Sequence, residues 1–365
     1  NDPPTTEIYT GCRSSAASDV YKRQVQGGSV IKPLVGVDRD VPSDAAVIRP
    51  VLSSPRGLAF SQALLPTYSA VDAYHMTACA IDEALRRVIA VGGDCDHVGG
   101  VDNFCWPNIQ YHPEKNPDGK FKAAQLVRAC RALRDVCLAY GIPLLSGKDS
   151  MYVDGNLAGR YGISHKVSAP ETIQFSAISR VPDIAHCTTM DVKVPGDLVY
   201  LLGITRDELG GSEYYEHLGY VGRQVPEVHP ETFQPLYRRL QTAIADSLTA
   251  SVRGIYRGGL AVHAALAALA GGLGLSLDLA KVPLEEALRN DKVLFSESAG
   301  RFLVTVASDR RQAFEAAFDG HAVGCIGVVT EAPRMVIRGT RGEPLVDLAL
   351  DDLKTAWKAP FGDLV

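Results

Sequence analysis

IPLLSGKDSMYVDG, residues 142–155, is the stretch on which the reading of the fold turns. An apolar run from Ile142 to Leu145 breaks at Ser146-Gly147 and gives way at once to Lys148, Asp149 and Ser150. Met151-Tyr152-Val153 then alternates, and Asp154-Gly155 turns the chain. A short apolar run bounded by turn residues reads as a buried strand. The helical pattern before it, residues 122–140, is stopped by Gly141 and Pro143. The polar residues therefore stand at the mouth of a strand. Glycine there lets a ligand approach the backbone, and lysine offers three donors to phosphate oxygens. Aspartate can hold Mg²⁺ and serine can donate to phosphate. The phosphate-cradling Gly-x-x-x-x-Gly-Lys-Ser/Thr loop is absent, and Gly147 to Ser150 alone also suit an exposed polar turn.

Upstream, residues 45–51 read as a strand and 71–91 as a helix with Ala80, Leu85, Val88 and Ile89 on one face. Asp82, Arg86 and Arg87 point elsewhere on that helix, which Gly92-Gly93 ends. Residues 94–117, rich in Gly, Asp, Asn and Pro, read as a loop. Within it Asp102 and Asn103 stand between two glycines and an aromatic pair, a composition suited to a ligand wall or to an Asx turn with a packed Trp106. Downstream, 172–179 is a strand. Beyond residue 183 the alternation resumes, with strands at 198–202, 274–279, 302–306, 325–329 and 334–337 and helices at 234–250 and 260–270. Interleaved helices and strands predict an α/β or α+β protein. Gly210, Gly211 and Ser212, and later Glu297 and Ser298, offer backbone N–H groups and hydroxyls for phosphates. Arg257-Gly258-Gly259 reads as a helix start or a helix N-terminal anion site.

Composition narrows the functional classes. Hydrophobic residues make up 46% and charged residues 22% of 365, and net charge is −5 with no basic block. Nucleic acid and anionic membrane are poor partners for such a chain. No apolar run reaches the roughly 18 residues of a membrane span, so a soluble, cytoplasmic protein is expected. Eight cysteines lack any CxxC pair, which points to buried free thiols such as Cys130 and Cys137 in a reducing compartment. The histidines lack metal-binding spacing, and no Gly-x-Ser-x-Gly elbow occurs. Residues 1–24, with CRSSAASDVYKRQ resembling a translated sequencing adapter, are read as non-native or disordered, and native sequence as starting near Val25. Two domains are then expected, 25–182 and 183–365.

Several segments, in order and spacing, resemble one family: VDAYHMTACAIDEALRRVIAVGGD, VDNFCWPN, IPLLSGKDSMY, ELGGSEYYEHLG, RGGLAVHAALAALAGGLGLSLDL and VLFSESAGRFLVTV. The chain is similar to the second half of the synthetase core of phosphoribosylformylglycinamidine synthases, over about residues 30–360. The resemblance implies a ferredoxin-like N-terminal domain that pairs into a barrel, and a C-terminal α/β domain like that of aminoimidazole ribonucleotide synthase. It implies an ATP- and Mg²⁺-dependent C–N ligase in purine biosynthesis. Such an enzyme activates the amide oxygen of formylglycinamide ribonucleotide as a phosphate ester, which ammonia from glutamine displaces. The implied partners are the N-terminal half of the core, a glutaminase and a small accessory subunit. Under the resemblance Gly147 contacts ATP and Ser150 contacts substrate. Lys148 stands where shorter members carry a Mg²⁺-binding Asn, with Asp149 beside it, and Asp102 is set against a nucleotide-contacting aspartate.

The resemblance also implies an auxiliary Mg²⁺–nucleotide site between Glu83 and the second domain. Here the chain departs from the family. Arg87 replaces an Asn, and the family's His-Asp-x-Ser reads Arg253-Gly254-Ile255-Tyr256. Loss of those oxygens and gain of cations should abolish Mg²⁺ binding. The expectation is a degenerate site, empty or closed by contacts such as Glu83–Arg87. Two competing readings are a self-contained homodimeric enzyme of the same superfamily and a non-catalytic scaffold half. The first would carry an Asp-Gly-Val-Gly-Thr-type metal loop, which residues 25–74 lack.

Overall fold

In the computed structural model, which describes residues 28–159 and 162–364, Asp72 opens the first long helix. Its carboxylate accepts the N–H groups of Tyr74 at 2.7 Å and His75 at 3.2 Å, satisfying donors that a helix start leaves free. The reading of residues 1–24 lies outside the described residues.

The first half lays its strands into one sheet. In chain order they are β1 (Ser29–Ile31), the small pair β2 (Leu34–Val35) and β3 (Val41–Pro42), β4 (Ala46–Ile48) and β5 (Gly57–Leu64). Helix α1 (Ala73–Ala90), β6 (Val98–Cys105), α2 (Gly119–Tyr140) and β7 (Leu144–Ser150) follow. An exposed hairpin of β8 (Asp154–Ala158) and β9 (Ser164–Ser168) precedes β10 (Thr172–Val181). The six-stranded order is β1-β4-β5-β10-β6-β7, antiparallel except for the last pair. Both helices cover one face, where Met76, Ile81, Leu85 and Phe175 form the core.

The second half contributes β11 (Leu198–Leu202), α3 (Glu213–His217), α4 (Pro230–Ala245), β12 (Ser251–Gly254) and α5 (Gly259–Gly271). Then come β13 (Gly274–Asp278), α6 (Asn290–Phe295), β14 (Phe302–Val306), α7 (Arg311–Ala317), β15 (Val323–Thr330), β16 (Arg334–Arg338), β17 (Pro344–Ala349) and α8 (Leu350–Lys358). Its seven strands run β12-β14-β11-β15-β13-β16-β17, with β13 and β16 parallel. The architecture is thus mixed α/β. No described helix is long and apolar enough to cross a membrane.

Three readings of the sequence are corrected. The stretch 142–145 is not a buried strand: β7 is an edge strand that includes the polar residues, with Leu144 and Leu145 exposed at 45% and 61%. Residues 98–105 are a strand, not a loop. Their glycines answer to packing, since a Cβ at Gly100 would lie 2.4 Å from the Phe175 ring and one at Gly99 2.6 Å from Leu145. Asp82 and Arg86, read only as pointing away from the apolar face of α1, are buried as well, because the second domain packs against that side. Among the thiols, Cys137 is buried but Cys130 is exposed, since β7 is the last strand of the sheet and no described strand lies beyond it.

Candidate functional site

Parallel pairing brings two of the candidate segments side by side. Asp102 is opposite Gly147, Asn103 opposite Lys148, Phe104 opposite Asp149 and Cys105 opposite Ser150. Side chains alternate between faces along a strand, so Asn103, Lys148 and Ser150 share the face not covered by helices, and Asp102 points the other way. Position 147 is glycine for a local reason: a Cβ there would lie 2.8 Å from an Asp102 carboxylate oxygen. Lys148 donates to the Ser150 hydroxyl, and Gly147, Lys148 and Asp149 are exposed. Asp102 is buried, and burial together with the Asp149 charge pushes its carboxyl above the ordinary range. A cation beside the two carboxylates would relieve that repulsion.

Further across the sheet, the open face mixes apolar and polar side chains, with Gln174 donating to Gln62 at 2.7 Å. Phe60 and Leu64 of β5 are exposed at 38% and 48%, and Ile178 of β10 is half-buried between the two strands' neighbours.

Of the glycine–serine candidates, Glu297 is a buried acceptor, while the bonds of Gly210, Gly211, Ser212 and Ser298 go elsewhere in the chain. Glu297 Oε1 accepts the N–H of Gly258 at 2.6 Å and that of Glu213 at 3.0 Å. Its Oε2 accepts the Tyr68 hydroxyl at 2.5 Å across the domain junction. Burial raises the Glu297 carboxyl although these donors oppose it. Ser212 caps α3 by accepting the Tyr215 N–H at 3.2 Å, and Ser298 accepts the Arg206 N–H at 2.9 Å. The N–H groups of Gly210 and Gly211 go to the Gln224 and Val221 carbonyls. In this conformation their donors and acceptors are engaged within the chain.

Between the domains lies a cleft of about 630 Å³ whose walls include Asp44, Glu83, Arg87, Tyr256, Arg257 and His263. Arg87 binds Glu83 through Nη2 at 2.7 Å and Nε at 2.9 Å, as an i, i+4 pair. Asp44 Oδ1 accepts the Gly254 N–H at 3.0 Å and the Tyr256 hydroxyl at 2.7 Å, and its Oδ2 faces Arg253 at 3.2 Å. The Arg87 guanidinium stacks 4.1 Å above the Tyr256 ring. Behind the cleft, Asp82 accepts from Arg86 at 2.7 Å, Tyr140 at 2.7 Å and Tyr237 at 2.6 Å. Arg86 also donates to the Ile255 carbonyl at 2.6 Å. Burial works against the Arg86 charge, but Asp82, Tyr237, Tyr256 and Glu83 together outweigh it and raise its pKa.

Sequence reasoning missed Asp44 and Tyr68 in these clusters; it marked Tyr256 only as the replacement of a family Ser. Asp44 sits 210 residues from Gly254 in a strand-flanking turn, and no local pattern marks it.

Comparison with known proteins bears on this pair of sheets. Residues 42–160 match the N-terminal domain of AIR synthase related proteins, and residues 194–340 match the C-terminal domain. The chain belongs to the AIR synthase related family. It is 30% identical over 339 residues to a phosphoribosylformylglycinamidine synthase subunit PurL of Thermococcus sibiricus, and 27% identical to that of Thermoplasma acidophilum. Both alignments take in 93% of this chain, but only 43% and 41% of the relatives. The chain thus spans less than half the length of these curated relatives. Among solved structures, T. maritima PurL complexed with FGAR superposes with a TM-score of 0.65 at 17% identity, over 92% of this chain and 50% of that one. E. coli HypE, a hydrogenase maturation protein, gives 0.56 at 19% identity, over 80% and 85%. At such identities the structural likeness speaks for the fold.

Proposed function

We propose that this chain forms the second half of the synthetase core of a phosphoribosylformylglycinamidine synthase, working in the ATP-dependent amidation of formylglycinamide ribonucleotide. The observation that carries the reading is the open edge of the first sheet. There Gly147, Lys148, Asp149 and Ser150 are presented to solvent beside Asp102 and Asn103. A site of this kind, exposed at an edge that no described strand pairs and preceded by exposed Leu144 and Leu145, is completed by a partner. That partner is the first half of the core, whose sheet packs on the open face so that the two ferredoxin-like units close a barrel. The curated relatives are long enough to hold both halves, and the T. maritima protein is described in complexes with FGAR, ADP and ATP.

Within that assembly Lys148 meets phosphate oxygens as a compact cation, and the Ser150 hydroxyl donates to a phosphate or to substrate. The Gly147 backbone lies where a nucleotide can approach without a side chain in the way. Asp102 and Asp149, two hard oxygen donors on adjacent strands, would hold Mg²⁺. Bound there, the ion supplies neutralisation of the triphosphate charge. The γ-phosphoryl group passes to the amide oxygen and ADP leaves; ammonia then attacks the imidate carbon, and inorganic phosphate departs with the oxygen. Rate enhancement comes from positioning and charge stabilisation rather than from a protein nucleophile. A glutaminase would supply the ammonia, and an accessory subunit would join the two.

The test is ADP release with Mg-ATP, formylglycinamide ribonucleotide and ammonium, for the chain alone and for the chain co-expressed with a first-half unit of a relative. Activity confined to the pair supports the reading. Turnover by the lone chain would instead identify a self-sufficient homodimer.

A further inference from the structure

We infer that the two domains are coupled by an internal lattice centred on Asp44 and Tyr256, which stands in the interdomain cleft in place of a Mg²⁺–nucleotide. The inference rests on Asp44, Arg253 and Tyr256 and uses no residue of β7, so it is separate from the catalytic reading above.

The residues present do not fit a metal-bound nucleotide. A hard divalent cation needs several oxygen ligands free of competing cations. Glu83, the candidate ligand, is held twice by Arg87. Position 254 carries no side chain and can carry none without rearrangement: a Cβ there would lie 2.0 Å from the Tyr256 hydroxyl oxygen. Tyr256 is itself buried, with the guanidinium groups of Arg87, Arg86 and Arg253 at 4.1, 4.9 and 5.6 Å from its ring centre. The three guanidiniums are paired with Asp82, Glu83 and Asp44, so the carboxylates nearest the ring are already engaged and not free to ligate a metal.

The same atoms make a joint. Asp44 comes from the turn before β4 in the first domain, and its three donors, the Gly254 amide, the Tyr256 hydroxyl and the Arg253 guanidinium, come from the second. Arg253 is further tied to the Pro42 carbonyl at 3.2 Å and to His263 Nδ1 at 3.1 Å. A carboxylate with this many donors, fully inside the protein, satisfies the charges that surround it. Gly254 and Tyr256 work as a pair: the missing side chain at one makes room for the ring of the other. The cleft is therefore bridged by protein groups alone.

Hydrogen–deuterium exchange of the full chain tests this with Mg-ADP as the probe. Protection that is absent, or confined to residues 146–150, is the expected result. Protection of residues 83–87 and 253–258 would overturn the inference, and it would do so without touching the reading of β7. The Tyr256→Phe variant tests the joint itself. Loss of one buried hydrogen bond to a carboxylate should speed exchange of the Gly254 amide on the order of tenfold, with β11 and β15 unchanged. An unchanged Gly254 amide in that variant would show that the lattice does not tie the domains.

Discussion

Strand β7 and the Asp44–Tyr256 cluster use the same kinds of residue, yet the molecule treats them in opposite ways. In β7 the lysine, aspartate and glycine are exposed, and Lys148 bonds only a neighbour two residues away. In the cluster Asp44 and Arg253 are buried and bonded to each other across some 200 residues of chain. A polar group in water is free to meet a ligand. One that has been desolvated must already have its partner, since an unpaired buried charge costs several kcal/mol. Burial with internal satisfaction thus marks architecture, and exposure beside a shaped wall marks the place where a ligand or a partner is met.

The contrast can be broken most forcefully at Asp82. The Asp82→Ala variant leaves Arg86 buried without its carboxylate and two tyrosine hydroxyls without an acceptor, and should lower stability by about 3–5 kcal/mol in urea denaturation. A much smaller loss would mean that Arg86 finds another anion. Next comes Gly254→Ala, whose methyl group would run into the Tyr256 hydroxyl; overpacking of this kind costs roughly 1–3 kcal/mol, read from the same curves.

His263 gives a pH test. Burial, and then the Arg253 guanidinium, hold its imidazole well below the ordinary 6.5. Because the folded value is depressed, the stability it contributes is present in full above 6.5 and is lost as the pH falls toward the folded value. Below 6.5 the unfolded chain takes up a proton that the folded chain refuses, so stability should decline by up to about 1.4 kcal/mol per pH unit from this residue. His263→Gln should flatten that slope between neutral and mildly acidic pH; an unchanged slope would place the sensitivity elsewhere.

The smallest stability effect belongs to the exposed edge. Lys148→Ala and Ser150→Ala should leave unfolding within about 0.5 kcal/mol of the parent. In the reconstituted pair each should still lower ADP release roughly 100-fold, as removal of a charge-stabilising donor does. An edge variant that lowers stability well beyond about 0.5 kcal/mol yet spares turnover would reverse the assignment of the two regions.

Much of the scaffold was legible from residue order. The period of residues 71–91 and the glycine pair after it located α1 to within two residues at its start and one at its end, because an amphipathic helix writes its own pattern. The strand at 198–202 and that at 302–306 were read at their observed limits, since continuous apolar runs between turn residues leave few alternatives. The reading failed where composition imitated a loop. The glycines of 98–105 looked like flexibility and are instead the consequence of Phe175 and Leu145 pressing on the sheet. It failed again at β7, where apolar Leu144 and Leu145 suggested burial on a face that no described residue covers.

The sequence by itself determined the α/β alternation, the family resemblance, and the replacement of ligand-type residues by Arg87, Gly254 and Tyr256. Those are properties of local pattern and residue chemistry. Only the tertiary structure decided that the charged flank of α1 is a domain interface, that Asp44 gathers three donors from the other domain, and that Asp102 lies beside Gly147. Each of these joins segments far apart in the chain. No local rule foresees such a meeting, because it is the burial of both surfaces at once that makes it favourable.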